Sequence, residues 1–177
     1  VSTPGYRLPL AAVAQVWGAQ QFATVAKMDA KTGRPDLATA VTPAELALLS
    51  RAILARCDAL DGLADGLVSD LSACQRAFDI ERDVATCPAN PAPGAACLSA
   101  AQKAALAKVF AGPRDAAGQP VYSGLPWDAG VQGRDWATWK LVNSVGPRDA
   151  IALAFVFTTP PASPAVVNGQ GTSLIDY

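Results

Sequence analysis

At 177 residues the chain is long enough for a single domain with a buried core. Half of it is hydrophobic, with alanine prominent, which predicts a helical core of small side chains. A net charge of -1 leaves no basic patch for nucleic acid, and no apolar run is long enough for a membrane span.

Val1–Pro9 reads as an extended lead-in strap, since Pro4 and Pro9 discourage helix. The apolar stretch Leu8–Val16 follows Arg7 and runs into Gln15, Gln20 and Gln21, which speaks against a signal peptide within it. From Leu10 to about Lys27 the apolar spacing is helical, with Trp17 expected to pack. Lys31–Pro35 is expected to be a loop. Thr42-Pro43-Ala44-Glu45 is a helix start: Thr as N-cap, Pro at the first position, Glu three after the cap. Leu46, Leu48, Leu49, Ile53 and Leu54 form its buried stripe, and it should end at Arg56 or Cys57.

There it meets the most informative segment, CDALDGLADGLVSD at 57–70. Asp58, Asp61, Asp65 and Asp70 fall here with no Lys or Arg before Arg76. The near-repeat around Gly62 and Gly66 predicts tight turns. Such a density of carboxylates suits a hard cation held by oxygen, calcium first. Asp58, Asp61 and Asp65 can supply carboxylates, and the carbonyls of Leu63 and Leu67 can be turned toward the same point. The Asp-x-Asp-x-Asp-Gly opening and late Glu of an EF-hand are missing. Spacing alone leaves a second reading open, two Asp-Gly turns with solvated aspartates.

Cys57, Cys74, Cys87 and Cys97 form an even set without histidine or a Cys-x-x-Cys pair, so zinc is a poor reading. Two disulfides in an oxidising compartment fit better, which implies a secreted or periplasmic protein. Three pairings are possible. The local one, Cys57–Cys74 with Cys87–Cys97, closes two short loops, each worth about 3 kcal/mol in the chain-entropy picture.

Phe78–Pro93 reads as short polar pieces and an irregular, proline-rich link. Ser99 and Gln102 make a second capping box, opening a helix through Lys103, Leu106, Val109 and Phe110 to Gly112-Pro113. Gly118–Tyr122 can form a short hairpin arm, and Gly124–Gly130 is too rich in Gly and Pro for regular structure. Trp127, Trp136 and Trp139 cluster beside glycines, the latter two on one helical turn. A last short helix is expected over Pro147–Phe157, broken at 158–161, with 162–177 as an exit linker. No Gly-x-Ser-x-Gly elbow is present, and the chain has no histidine, so no Ser-His-Asp or Cys-His relay can be built from it alone.

CDALDGLADGLVSD with its second cysteine resembles the calcium loop in lid domains of the tannase and feruloyl esterase family. The run CLSAAQ…VFAGPR resembles a second signature of the same lids. The likeness extends from LPLAAVAQ to VFTTPP. It implies a mainly α lid domain with short β pieces and long irregular loops, stapled by disulfides and calcium and inserted in an α/β-hydrolase. It also implies structural calcium on Asp58, Asp61, Leu63, Asp65 and Leu67, and a Cys57–Cys74 pairing. The serine nucleophile would lie before the lid and the catalytic Asp and His after it, so this chain alone is expected to be inactive. Its partners would be the parent catalytic domain and an aromatic acid ester, feruloyl, galloyl or terephthalate. Family lids place late aromatics over the serine, which points to Trp127, Trp139, Phe155 and Phe157, with Trp139 and Phe157 best placed. The competing reading for each is the domain's own core. Two other classes stay open, a stand-alone calcium-binding interaction module and an inert disulfide-stapled scaffold.

Overall fold

The computed structural model describes residues 8–90, 92, 97–142, 149–157 and 159–161, and within them helices carry most of the regular structure. The lead-in strap up to Arg7 and the exit linker lie outside the described residues. Helix α1 spans Leu8–Ala23. It begins before the expected Leu10 because Pro9 sits in the first turn, where a missing N–H breaks no helical bond. It ends before Lys27 because the Thr24 hydroxyl donates to the Gln21 carbonyl at 2.7 Å and the chain turns away.

The expected loop at Lys31–Pro35 is largely the tip of a hairpin. Strands β1 (Lys27–Met28) and β2 (Pro35–Asp36) pair antiparallel. The Asp29 carboxylate closes the turn by accepting from the N–H groups of Lys31 and Thr32.

Helix α2 (Pro43–Cys57) carries the foreseen capping box, and Leu46, Leu49, Ser50, Ile53 and Cys57 are buried along it. Leu48 and Leu54 are half-buried at the edges of the stripe. The Ser50 hydroxyl donates to the Ala129 carbonyl at 2.8 Å, seating a 3-10 turn at Ala129–Gln132 on this helix. Helices α3 (Leu71–Ala77) and α4 (Ile80–Asp83) were not foreseen, and each is opened by an aspartate N-cap, Asp70 and Asp79. At the corner between them the Ala77 carbonyl accepts from the guanidinium groups of both Arg56 and Arg82. Arg82 also pairs with Asp83, at 2.8 and 2.6 Å.

Helix α5 (Ala100–Ala111) has the second capping box and ends before Gly112 as expected. The two boxes are joined: Gln102 donates from Nε2 to the Ala40 carbonyl and to Glu45 Oε1, both at 3.0 Å. Lys103 on the same helix is fully buried. Its ammonium donates to the Glu81 carbonyl at 3.0 Å and to the Thr86 hydroxyl at 2.7 Å, which compensates the burial. Beside it Thr86 bridges Leu98, and Cys87 is bonded to Cys97. The other disulfide joins Cys57 to Cys74, so the local pairing is the one formed.

The hairpin arm expected at Gly118–Tyr122 shrinks to a single antiparallel bridge, Arg114 with Pro120. The chain then returns across the end of α5, where the Leu125 N–H donates to the Phe110 carbonyl at 2.9 Å. Gly124 makes this approach possible, since a Cβ there would stand 2.3 Å from the Phe110 oxygen. Helix α6 (Arg134–Thr138) passes into a π-turn over 139–142, and α7 (Asp149–Phe155) packs against α1. Ala12, Val16, Leu153 and Ala154 form a small core between these two helices.

The main core gathers α2, α5 and the segments between them around an aromatic series. Phe78 meets Trp127 with centroids 5.0 Å apart, Trp127 stacks on Phe110 at 3.9 Å, and Phe110 faces Trp136 at 6.1 Å. Trp136 in turn meets the Phe22 ring edge-on at 6.4 Å. Such pairs add about 0.5–1.5 kcal/mol each beyond the area they bury.

Two outcomes follow from this packing. Gly124→Ala should cost about 1–3 kcal/mol in chemical denaturation, because the backbone of α5 cannot recede from a new methyl group. Unchanged stability would show that the crossing relaxes freely. The Arg82 hydrogen bonds and neighbouring donors lower the Asp83 carboxyl to about 2. A depressed carboxyl adds stability above its unfolded value of about 3.9 and loses it as pH falls toward 2. Asp83→Asn should therefore melt lower than the parent at pH 7, and the two curves should converge near pH 2. A gap that stayed constant with pH would assign the loss to packing.

Candidate metal loop and aromatic surface

After α2 the chain makes a 3-10 turn at Asp58–Asp61 and then runs without regular structure to Asp70. Gly62 and Gly66 adopt φ of 95° and 84°, values open to glycine and strained for other residues. These two bends fold the loop back, and its aspartates organise it from within. Asp58 Oδ1 accepts from the N–H groups of Asp65 and Gly66, at 3.1 and 2.9 Å. Asp61 accepts from Leu63 at 3.0 Å on one oxygen and from Ser69 at 3.2 Å on the other. Asp65 accepts from Leu67 at 3.1 Å. Asp58, Asp61 and Asp65 are thus brought into one loop, with Leu63 between Asp61 and Asp65 and Leu67 two residues beyond Asp65.

The N–H groups of Leu63 and Ser69 hold the Asp61 carboxyl below its ordinary range, so it is ionised at neutral pH. No Lys or Arg falls between Cys57 and Gln75 to neutralise the loop. Val68 is its buried anchor, whereas Leu63 and Leu67 are 64% and 61% exposed. Among the described residues no three acidic side chains already converge as a ready-made cage. The donor set, three carboxylates and the backbone carbonyls of the same loop, nevertheless suits a hard cation of the calcium type.

The aromatic candidates separate by burial. Trp127 is 9% exposed, with Phe110 stacked on one face and the tilted Phe78 ring beside it, which favours the competing reading of a core residue. Trp139 in the π-turn, Phe155 at the end of α7 and Phe157 beyond it are 45%, 55% and 40% exposed. Trp136 is half-buried between Phe110 and Phe22, and Trp17 is half-buried on α1.

One feature escaped the sequence reading. Between α2 and α6 lies a cavity of about 380 Å³, lined by Val41, Leu46, Ala137, Leu141, Thr138 and Arg134 among others. Its walls come from three separate segments, and the sequence signal is no more than a Gly-Arg pair before a tryptophan.

Comparison with known proteins places the fold. The family described as tannase and feruloyl esterase matches residues 10–160. The mono(2-hydroxyethyl) terephthalate hydrolase of Piscinibacter sakaiensis is 42% identical over 156 residues, covering 78% of this chain and 25% of that protein. An uncharacterized esterase of Xanthomonas campestris is 34% identical over 137 residues, covering 77% of this chain and 22% of that protein. The chain therefore spans about a quarter of the length of these relatives. The crystal structure of feruloyl esterase B from Aspergillus oryzae superposes with a TM-score of 0.58 at 22% identity, over 95% of this chain and 29% of that one.

Proposed function

This chain belongs to the tannase and feruloyl esterase family, and we propose that it is the lid of a carboxylic ester hydrolase. In this reading it is an insertion in an α/β-hydrolase and supplies a pocket wall for an aromatic acid ester. The nucleophile, base and oxyanion hole belong to the partner domain. What carries the reading is the span of the likeness: nearly the whole chain matches the family, yet it covers only about a quarter of the relatives. The missing histidine agrees independently, because a serine esterase needs a general base that this chain does not contain. The relative at 42% identity acts, by its name, on a terephthalate monoester, which fits an aromatic acid as the recognised part. The two disulfides suit an oxidising compartment, and secretion or periplasmic export follows as part of the proposal.

Aromatic acids bind against flat apolar side chains, with a few polar groups fixing orientation. Trp139, Phe155 and Phe157 have the exposure such a wall needs. In the full-length esterase, Trp139→Ala and Phe157→Ala should raise KM or change the preference among aromatic esters, with small loss of stability. A loss of about 3–5 kcal/mol with unchanged selectivity would return either residue to the domain core.

The acidic loop is proposed to hold one structural calcium ion through Asp58, Asp61 and Asp65 with the carbonyls of Leu63 and Leu67. When bound, the ion would neutralise the aspartates and fix the link between α2 and α3. An ion that binds only the folded chain raises stability by about 2.7 kcal/mol at a hundred times its dissociation constant. Calcium should therefore raise the melting temperature, chelator should reverse the rise, and Asp65→Ala should abolish the response. A melting temperature indifferent to calcium and chelator would remove the site.

A further inference from the structure

The cavity between α2 and α6 has the composition of a small-ligand site. Val41, Leu46, Ala137 and Leu141 give it apolar walls, and its volume of about 380 Å³ lies within the range of small-molecule pockets. Arg134 is the only charged residue lining it among the described residues. The guanidinium is exposed and makes no hydrogen bond or ion pair among the described residues. The hydroxyl-bearing Thr138 lines the same space. A ligand that uses both features has a flat or compact apolar body and one carboxylate. The guanidinium fork matches a carboxylate in two parallel hydrogen bonds, which a lone hydroxyl or amide on the ligand cannot reproduce.

A neighbouring depression of about 510 Å³ shares Ala38, Leu141 and Val142 with this cavity. It carries Asp29 and Asp36 with the single cation Arg34, a balance that disfavours an anion. The Arg134 side is therefore the one suited to a carboxylate, with the apolar body lying toward Leu46 and Leu141.

We propose that the cavity between α2 and α6 binds apolar monocarboxylates, with Arg134 holding the carboxylate. The site is distinct from the acidic loop and uses none of the exposed aromatics assigned to the ester wall. It does not rest on the lid reading, since it needs only this domain and is tested without any esterase activity.

Benzoate is the probe, with benzyl alcohol as the uncharged match and acetate as the anion without an apolar body. In amide-resolved NMR titration, benzoate should shift Val41, Leu46, Gly133, Ala137 and Leu141 with millimolar affinity. Benzyl alcohol should bind the same residues about tenfold more weakly, and acetate should leave them in place. Arg134→Gln, a change at an exposed residue, should bring benzoate down to the level of benzyl alcohol and leave benzyl alcohol unaffected. Arg134→Lys should recover part of the difference through charge alone. Equal binding of benzoate and benzyl alcohol, or benzoate binding unchanged by Arg134→Gln, would overturn the proposal. So would shifts confined to Trp139 and Phe157. Retained benzoate binding alongside a failed selectivity test on Trp139 and Phe157 would separate this site from the ester-wall reading.

Discussion

The contact on which most of this domain depends is the stack of Trp127 on Phe110, rings 3.9 Å apart and 9° from parallel. Phe110 lies near the end of α5, and Trp127 lies in a segment without regular structure. A segment rich in glycine and proline makes few backbone bonds of its own, so side-chain burial must hold it. The stack does this, and Phe78 on one side and Trp136 on the other extend it to the end of α3 and to α6. Through Trp136 it reaches Phe22 on α1. Five rings thereby tie α1, α3, α5, α6 and the segment carrying Trp127 into one cluster. The close approach at Gly124 is the backbone counterpart of the same constraint, since Leu125 must reach the Phe110 carbonyl for Trp127 to lie on the ring.

Polar groups do the corresponding work at the helix starts. Glu45 and Gln102 each satisfy their own N-cap N–H, and then bond to one another. The beginnings of α2 and α5 are thus fixed relative to each other by residues that local chemistry already required. Lys103 extends the principle into the interior, where its ammonium donates to a carbonyl and a hydroxyl, with the Glu81 carboxylate 3.9 Å away. Leaving such a group without acceptors would cost far more than the pair of hydrogen bonds contributes, so its partners are dictated by its burial.

What the sequence revealed follows the range of the interaction involved. Thr42 with Glu45 and Ser99 with Gln102 announce their helices because a capping box is complete within four residues. The tight turns of the acidic loop were legible for the same reason, its glycines and aspartates being local turn chemistry, whereas its Cys57–Cys74 closure followed from the family resemblance. Helices α3 and α4 were missed because their signals, Asp70 and Asp79, stand among other acidic residues and open helices too short to show a period. The hairpin β1–β2 has two residues per strand, which leaves no alternation to read. The stacking of Trp127 was not legible because Phe110 lies on a distant helix, and spacing carries no record of such contacts. The cavity beside Arg134 was invisible on the same ground.

The division of the aromatics bears on how such a domain can serve another protein. A ring already packed against others in the core has less surface to offer a ligand, which weighs against Trp127 and Trp136 in that role. Trp139, Phe155 and Phe157 keep a large part of their surface open. Exposed aromatics cost little while the domain is alone and gain most when a second body excludes water from them. Under the proposed lid reading this partition has a use: a rigid interior that does not yield when a substrate arrives, and apolar side chains held at its edge. The buried series supplies the first, and the π-turn with the end of α7 supplies the second. Specificity would then be adjustable by substitution at the exposed rings without disturbing the stack that holds the domain together.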